Sequence, residues 1–326
     1  MRVLLDSNVW RYLVDSKRQD QLYKLTKEFD VKIVVCPAIV IETLRLTDSK
    51  LRKKIIEVQT RDCWERLMPD AFLECFDLKK ELIRAHPEWE LSEKNTALYK
   101  KLRFDWLRTG GGFWSKTRKN TDLVAAHYAA KDAALLDRAR QQAHQMRSTV
   151  INSSEGRLVD RPLNALTGSW TLPNSNKVEV DFWRVYAETI WLNMLIDSNS
   201  SFRQWMSCEL NLDLMLSHYC SEDWLNFWRH EVNLMSVPRE WLRAAIYCLQ
   251  SDRKITDGNP TDAQIAVHLV DIDYFISADK NFVSILSKCY EEAPFKVANP
   301  LLVNAGNAGV DQFFQMISEK FIVHSK

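Results

Sequence analysis

The chain has 326 residues, 46% hydrophobic and 27% charged, a balance that excludes extended disorder and fits one large domain or two ordinary ones. Its 44 basic and 43 acidic residues leave a formal charge of +1, so only a local basic patch could argue for nucleic acid. It has 8 glycines, none before Gly110, and neither GxGxxG nor GxxxxGK[ST], which argues against a Rossmann cofactor site or a Walker phosphate loop.

Val3-Leu4-Leu5 is a short apolar run that stops at Asp6, the pattern of a fully buried strand. Ser7-Asn8 offers a cap for a helix over Val9 to Val14. A polar helix to Phe29 leads to a second strand, Val31 to Cys36, dominated by β-branched residues. Pro37 suits the first turn of a helix over Ala38 to Leu46. From 61 to 239 the periodicity is helical, with a weak strand signal at Thr149 to Ile151 and a turn-rich stretch over Asn152 to Asn176. Eleven of the 12 tryptophans fall between Trp64 and Trp241, and pairs such as Trp183 and Trp191 or Trp224 and Trp228 recur at helical spacing. They read as helix core, because large aromatics bury so much area. The end of the chain returns to the first grammar. Thr261 to Val270 reads as helix, Tyr274 to Ser277 as strand, Lys280 to Leu286 as helix and Phe295 to Val297 as the last strand. Alternating strands and helices predict a parallel sheet covered on both faces. Composition thus divides the chain into an α/β first part (1–60), a mainly helical insertion (61–239) and an α/β second part (240–326).

The seven cysteines form no CxxC pair, and Cys208, His218 and Cys220 are too irregularly spaced for zinc. They read as reduced, mostly buried thiols, with Cys36 a strand thiol rather than a nucleophile. Asp6 interrupts any signal-peptide core and no run of 18 apolar residues occurs, so no membrane span and a cytoplasmic location are expected.

Parallel sheets bind ligands beyond the carboxyl ends of their strands. Four acids stand at such positions: Asp6 after the first strand, Glu42 in the helix after the second, Asp262 at the opening of a helix, and Asp279 after the strand ending at Ser277. Each has a bland reading, as a helix cap, a solvated helix residue or a turn residue. Together they form a cluster whose repulsion a cation would offset. With only oxygen donors, that cation would be hard, Mg²⁺ or Mn²⁺, and such sites hydrolyse phosphodiesters.

Four motifs carry a family resemblance: Leu4-Leu5-Asp6-Ser7-Asn8-Val9; Val34-Val35-Cys36-Pro37 with Glu42; Thr261-Asp262-Ala263-Gln264-Ile265-Ala266; and Ile276-Ser277-Ala278-Asp279-Lys280-Asn281-Phe282. In order and placement they resemble the PIN-domain nucleases. The resemblance implies a PIN-like parallel sheet and an acidic quartet of Asp6, Glu42, Asp262 and Asp279 holding Mg²⁺ or Mn²⁺. It also implies auxiliary polar residues at Asn8, Thr261, Ser277 and Asn281. Asn281 departs from the family, which often has Asp there. The implied activity is endoribonuclease cleavage of RNA leaving a 5′-phosphate and a 3′-hydroxyl. Many small members are toxins neutralised by an antitoxin, a role and partner the resemblance leaves open for this much larger chain. The resemblance covers 1–60 and 240–326 and leaves the insertion unexplained. The rival readings are a non-catalytic nucleic-acid-binding or scaffold protein on a PIN-like fold, and a structure-specific DNA nuclease.

The densest basic stretch lies in the insertion. Lys100, Lys101, Arg103, Arg108, Lys116, Arg118 and Lys119 stand against Asp105 alone, around Gly110-Gly111-Gly112 with Phe113 and Trp114 beside it. Basic side chains neutralise phosphates and aromatics stack bases, so this stretch is the candidate nucleic-acid contact; its bland reading is a solvated helix end and loop. Arg138 and His144 form a weaker, ribonuclease-like pair two helical turns apart.

Overall fold

A computed structural model describes residues 1–129, 141, 160–164, 168–171, 179–251 and 259–324. Thr149 to Ile151 and the Arg138–His144 pair lie outside the described residues.

The fold is mixed α/β. Five parallel strands, β1 (Arg2–Leu5), β2 (Lys32–Val35), β3 (Glu65–Arg66), β6 (Tyr274–Ser277) and β7 (Asn299–Leu302), form one sheet in the order β3-β2-β1-β6-β7. Two further strands, β4 (Ser169–Thr171) and β5 (Glu179–Asp181), form a separate antiparallel pair. β1 is central, with Leu4 opposite Val34 on one side and Phe275 on the other. Val3, Leu4 and Leu5 are all buried, because helices cover both faces. Each such side chain contributes about 1.5–3 kcal/mol by leaving water.

The local signals hold with shifts that have physical causes. The helix after β1 is Ser7–Asp15, and its N-cap is Asp6 rather than Ser7 or Asn8, since the Asp6 carboxylate accepts from the Ser7 N–H. The helix over Pro37–Leu44 carries proline in its first turn, where a missing N–H costs nothing. The Thr261 to Val270 segment is an α-helix, Asn259–Ala266, that tightens into a 3₁₀ turn, Val267–Val270. The helix after β6 runs on to Glu292. β3 has no apolar run to announce it, and only its pairing with β2 makes it a strand. The last strand lies beyond Phe295 to Val297, at Asn299–Leu302, where Phe275 faces Pro300. Proline cannot donate into a ladder, and β7 is an edge strand, where that is tolerated.

Between β3 and β6 the described residues are mainly helical, with Asp70–Ala85, Thr96–Leu107, Phe113–Lys119, Phe182–Ile196 and Pro238–Ser251 among their helices. Trp89, Trp114, Trp183, Trp191 and Trp228 are fully buried, as core tryptophans should be. These side chains and those of the sheet form one connected apolar cluster. The Pro238–Ser251 helix links the two, packing on Phe182–Ile196 on one side and on Asn259–Ala266 and Lys280–Glu292 on the other. Among the described residues no helix is long and apolar enough to cross a membrane.

Candidate functional site

From β1 the chain winds outward to β2 and β3, then later to β6 and β7 on the opposite side. The crevice beyond the carboxyl ends of β1 and β6 is therefore the switch point, where open parallel sheets bind ligands. Asp6 leaves β1 there and is 5% exposed. Its N–H donates to the Ile276 carbonyl at 2.9 Å, continuing the ladder between the two strands.

A polar knot joins both sides of the crevice. Asp6 Oδ1 accepts from the Ser7 N–H at 2.7 Å. Its Oδ2 accepts from the Asn8 amide at 2.7 Å and from the Ser277 hydroxyl. Asn8 Oδ1 accepts from the Ala278 N–H at 3.1 Å. The Ser277 oxygen accepts from the Asp279 N–H at 2.9 Å, and Asp279 caps the next helix by accepting from the N–H groups of Asn281 and Phe282 at 2.8 and 3.0 Å. Glu42, on the helix after β2, keeps one buried oxygen, Oε2, without a hydrogen-bond partner.

The electrostatics show that these acids share one region. Burial raises the Asp6 carboxyl above its usual range; bonds from Ser277, Ser7 and Asn8 oppose this, and the Asp279 charge adds to it. Burial, then the Asp6 charge, pushes Glu42 up to about 8, with Asp279 adding, while the Ser7 hydroxyl and Arg45 pull it back. The Asp279 charge thus reaches both Asp6 and Glu42, and the Asp6 charge reaches Glu42. Asp262 stands on the Asn259–Ala266 helix, which packs on the helix that carries Glu42. It accepts from the Gln250 amide at 3.3 Å, and the adjoining, buried Thr261 accepts from Arg45.

Among the described residues no three His, Cys, Asp or Glu side chains are gathered tightly enough to ligate one metal ion. Hydrogen bonds explain this, since Asp6 directs its oxygens to Ser7, Asn8 and Ser277 and Asp279 turns to helix amides. The donor chemistry still suits a hard cation: oxygen only, two carboxyls raised chiefly by burial, and an orphaned buried oxygen on Glu42.

The basic stretch divides. Lys100, Lys101 and Arg103 are exposed on the Thr96–Leu107 helix, and Lys116 and Lys119 on Phe113–Lys119. Arg108 pairs with Asp105 at 2.8 Å, and Arg118 donates to the Thr60 hydroxyl at 3.0 Å. Phe113 and Trp114 are buried, and the Trp114 indole donates to the Trp106 carbonyl, so these rings belong to the core. Cys36 is also buried and its thiol is pushed up to about 12, which makes it inert.

Arg45 was not signalled by any motif, although its position three residues past Glu42 places both on one helical face. Comparison of the chain with protein-family models, curated proteins and solved structures gives no match.

Proposed function

We propose that the chain is a divalent-metal-dependent endoribonuclease of PIN-like type, with Asp6, Glu42, Asp262 and Asp279 as its acidic centre. The observation that carries this reading is the buried, unpartnered Glu42 oxygen, on whose carboxyl the charges of Asp6 and Asp279 both act. Buried carboxylates are costly; protonation relieves that cost at Glu42, and a hard cation that displaces the proton would relieve it for the ionised cluster. Held by these acids, Mg²⁺ or Mn²⁺ would supply water activation and charge stabilisation at a phosphodiester. Asn8 and Ser277 orient Asp6, and Ser7 stands between Asp6 and Glu42. Arg45, bonded to Thr261, ties the helix of Asp262 to the helix of Glu42 and brings positive charge to the rim.

A second reading has its own support. Asp6 and Asp279 are well satisfied as caps and cross-strand ties, which is what a non-catalytic scaffold would retain. Cleavage of matched labelled RNA and DNA with Mn²⁺ and with chelator separates the two. Metal-dependent RNA cleavage by the wild type, lost in Glu42→Gln, is expected. Equal turnover by that variant would remove the acidic centre from the mechanism, and preferential DNA cleavage would move the activity to a DNA nuclease.

A further inference from the structure

The aromatics flanking the three glycines are buried, but the same stretch holds one large ring outside. Phe104 on the Thr96–Leu107 helix is 57% exposed, and Leu107, one turn on, is 51% exposed. Leaving a phenyl ring in water forgoes its burial, so its exposed part is open to a ligand. The ring is braced. The Arg108 guanidinium stands 5.0 Å from its centroid and is held by the Asp105 carboxylate at 2.8 Å and the Gly111 carbonyl. The glycines make this brace. Gly111 has φ +76°, and a Cβ at Gly112 would meet the Asp105 carbonyl oxygen at 2.4 Å and Arg108 Cγ at 2.7 Å. The loop can close over Arg108 only without side chains at Gly111 and Gly112. Lys100, Lys101 and Arg103 are exposed on the same helix.

We propose that Phe104 is a stacking platform for a base of single-stranded nucleic acid whose phosphates run along Lys100, Lys101 and Arg103. The choice of nucleic acid rests on the nuclease reading and on charge complementarity, since Asp105 is the only acid among these residues and it is engaged by Arg108. A single strand follows from the ring. A flat aromatic needs an open base face, and in a duplex those faces are covered by neighbouring pairs.

The test is anisotropy of a short labelled RNA strand, and of the same strand annealed to its complement, in chelator so that nothing is cleaved. Phe104→Ala is expected to weaken single-strand binding roughly tenfold or more, the stacking of one base, and to leave duplex binding and the melting temperature unchanged. Phe104→Trp should retain binding and Phe104→Leu should lose it like alanine, because leucine is apolar but cannot stack. Wild-type binding by the alanine or leucine variant, or equal losses on strand and duplex, would overturn the platform. Because metal is absent, a failed platform leaves the nuclease reading intact, and a chain that binds through Phe104 but never cleaves sinks only the nuclease reading.

Discussion

Two regions of this molecule bury carboxylates, and they do it in opposite ways. Between the Asp70–Ala85 and Pro238–Ser251 helices runs an ionic seam. Arg239 pairs with Asp77 and with Asp271 at 2.6 Å. Arg243 holds the fully buried Glu74 in a two-point pair and Asp70 at 3.8 Å. At the switch point, among the described residues, none of Asp6, Glu42 and Asp279 has an ion pair; Asp6 and Asp279 rest on neutral donors and Glu42 has an orphaned oxygen. One helix connects the regions, since Arg239, Arg243 and Gln250 lie on one stripe of Pro238–Ser251 and Gln250 bonds Asp262. Carboxylates matched by guanidinium hold helices in place. Carboxylates without an ion pair at the switch point are what the proposed metal centre would require.

The largest effect should come from breaking the seam. Arg243→Ala strands Glu74 and Asp70 in the interior and should cost about 3–5 kcal/mol in chemical denaturation. A loss below about 1 kcal/mol would mean that the seam is not held by its ions, and the contrast would fail.

Next comes pH. Burial raises Glu42 and, in the seam, Glu240 to about 8 from 4.5. The folded state therefore binds more protons, so stability from these groups is highest below pH 4.5 and falls as pH rises towards 8, by at most about 1.4 kcal/mol per unit for each. Glu42→Gln and Glu240→Gln should each flatten this slope in pH-dependent melts. Mn²⁺ at pH 8 sharpens the comparison, because it should raise the melting temperature of the Glu240→Gln variant and not that of Glu42→Gln. Equal responses would deny the crevice its cation.

An acid-side effect of opposite sign also belongs to the seam. Burial, then the Arg239 charge, lowers His268 to about 3 from 6.5, and neither of its ring nitrogens has a hydrogen-bond partner. Its contribution is complete above pH 6.5 and is lost as pH falls towards 3. His268→Leu should flatten that limb while changing stability at neutral pH by less than about 1.5 kcal/mol. A steeper limb would be the contrary result. The smallest change is expected at exposed charges outside both regions. Lys116→Gln with Lys119→Gln should alter stability by no more than about 0.5 kcal/mol. If either lysine touches a phosphate of the bound single strand, its removal should lower the salt slope of binding by about 0.7.

Much of this was readable along the chain. β1 and β6 are apolar runs ending at a polar junction, and β2 is one ending ahead of Pro37, so both the parallel sheet and the positions of Asp6 and Asp279 follow from local pattern. Burial of the tryptophans follows from their helical spacing and size. Tertiary structure alone decided the rest. Glu65 and Arg66 become a strand only because β2 offers them hydrogen bonds. The end of β7 is set by its pairing with β6 rather than by β-branched content. Glu42 lies far along the chain from Asp279, so their mutual repulsion exists only once β1, the β2 helix and β6 are packed. The same holds for Phe104, whose sequence neighbours Phe113 and Trp114 carry the same aromatic signal. Which ring stays outside depends on how two helices and a glycine loop close around Arg108, and no residue type encodes that on its own.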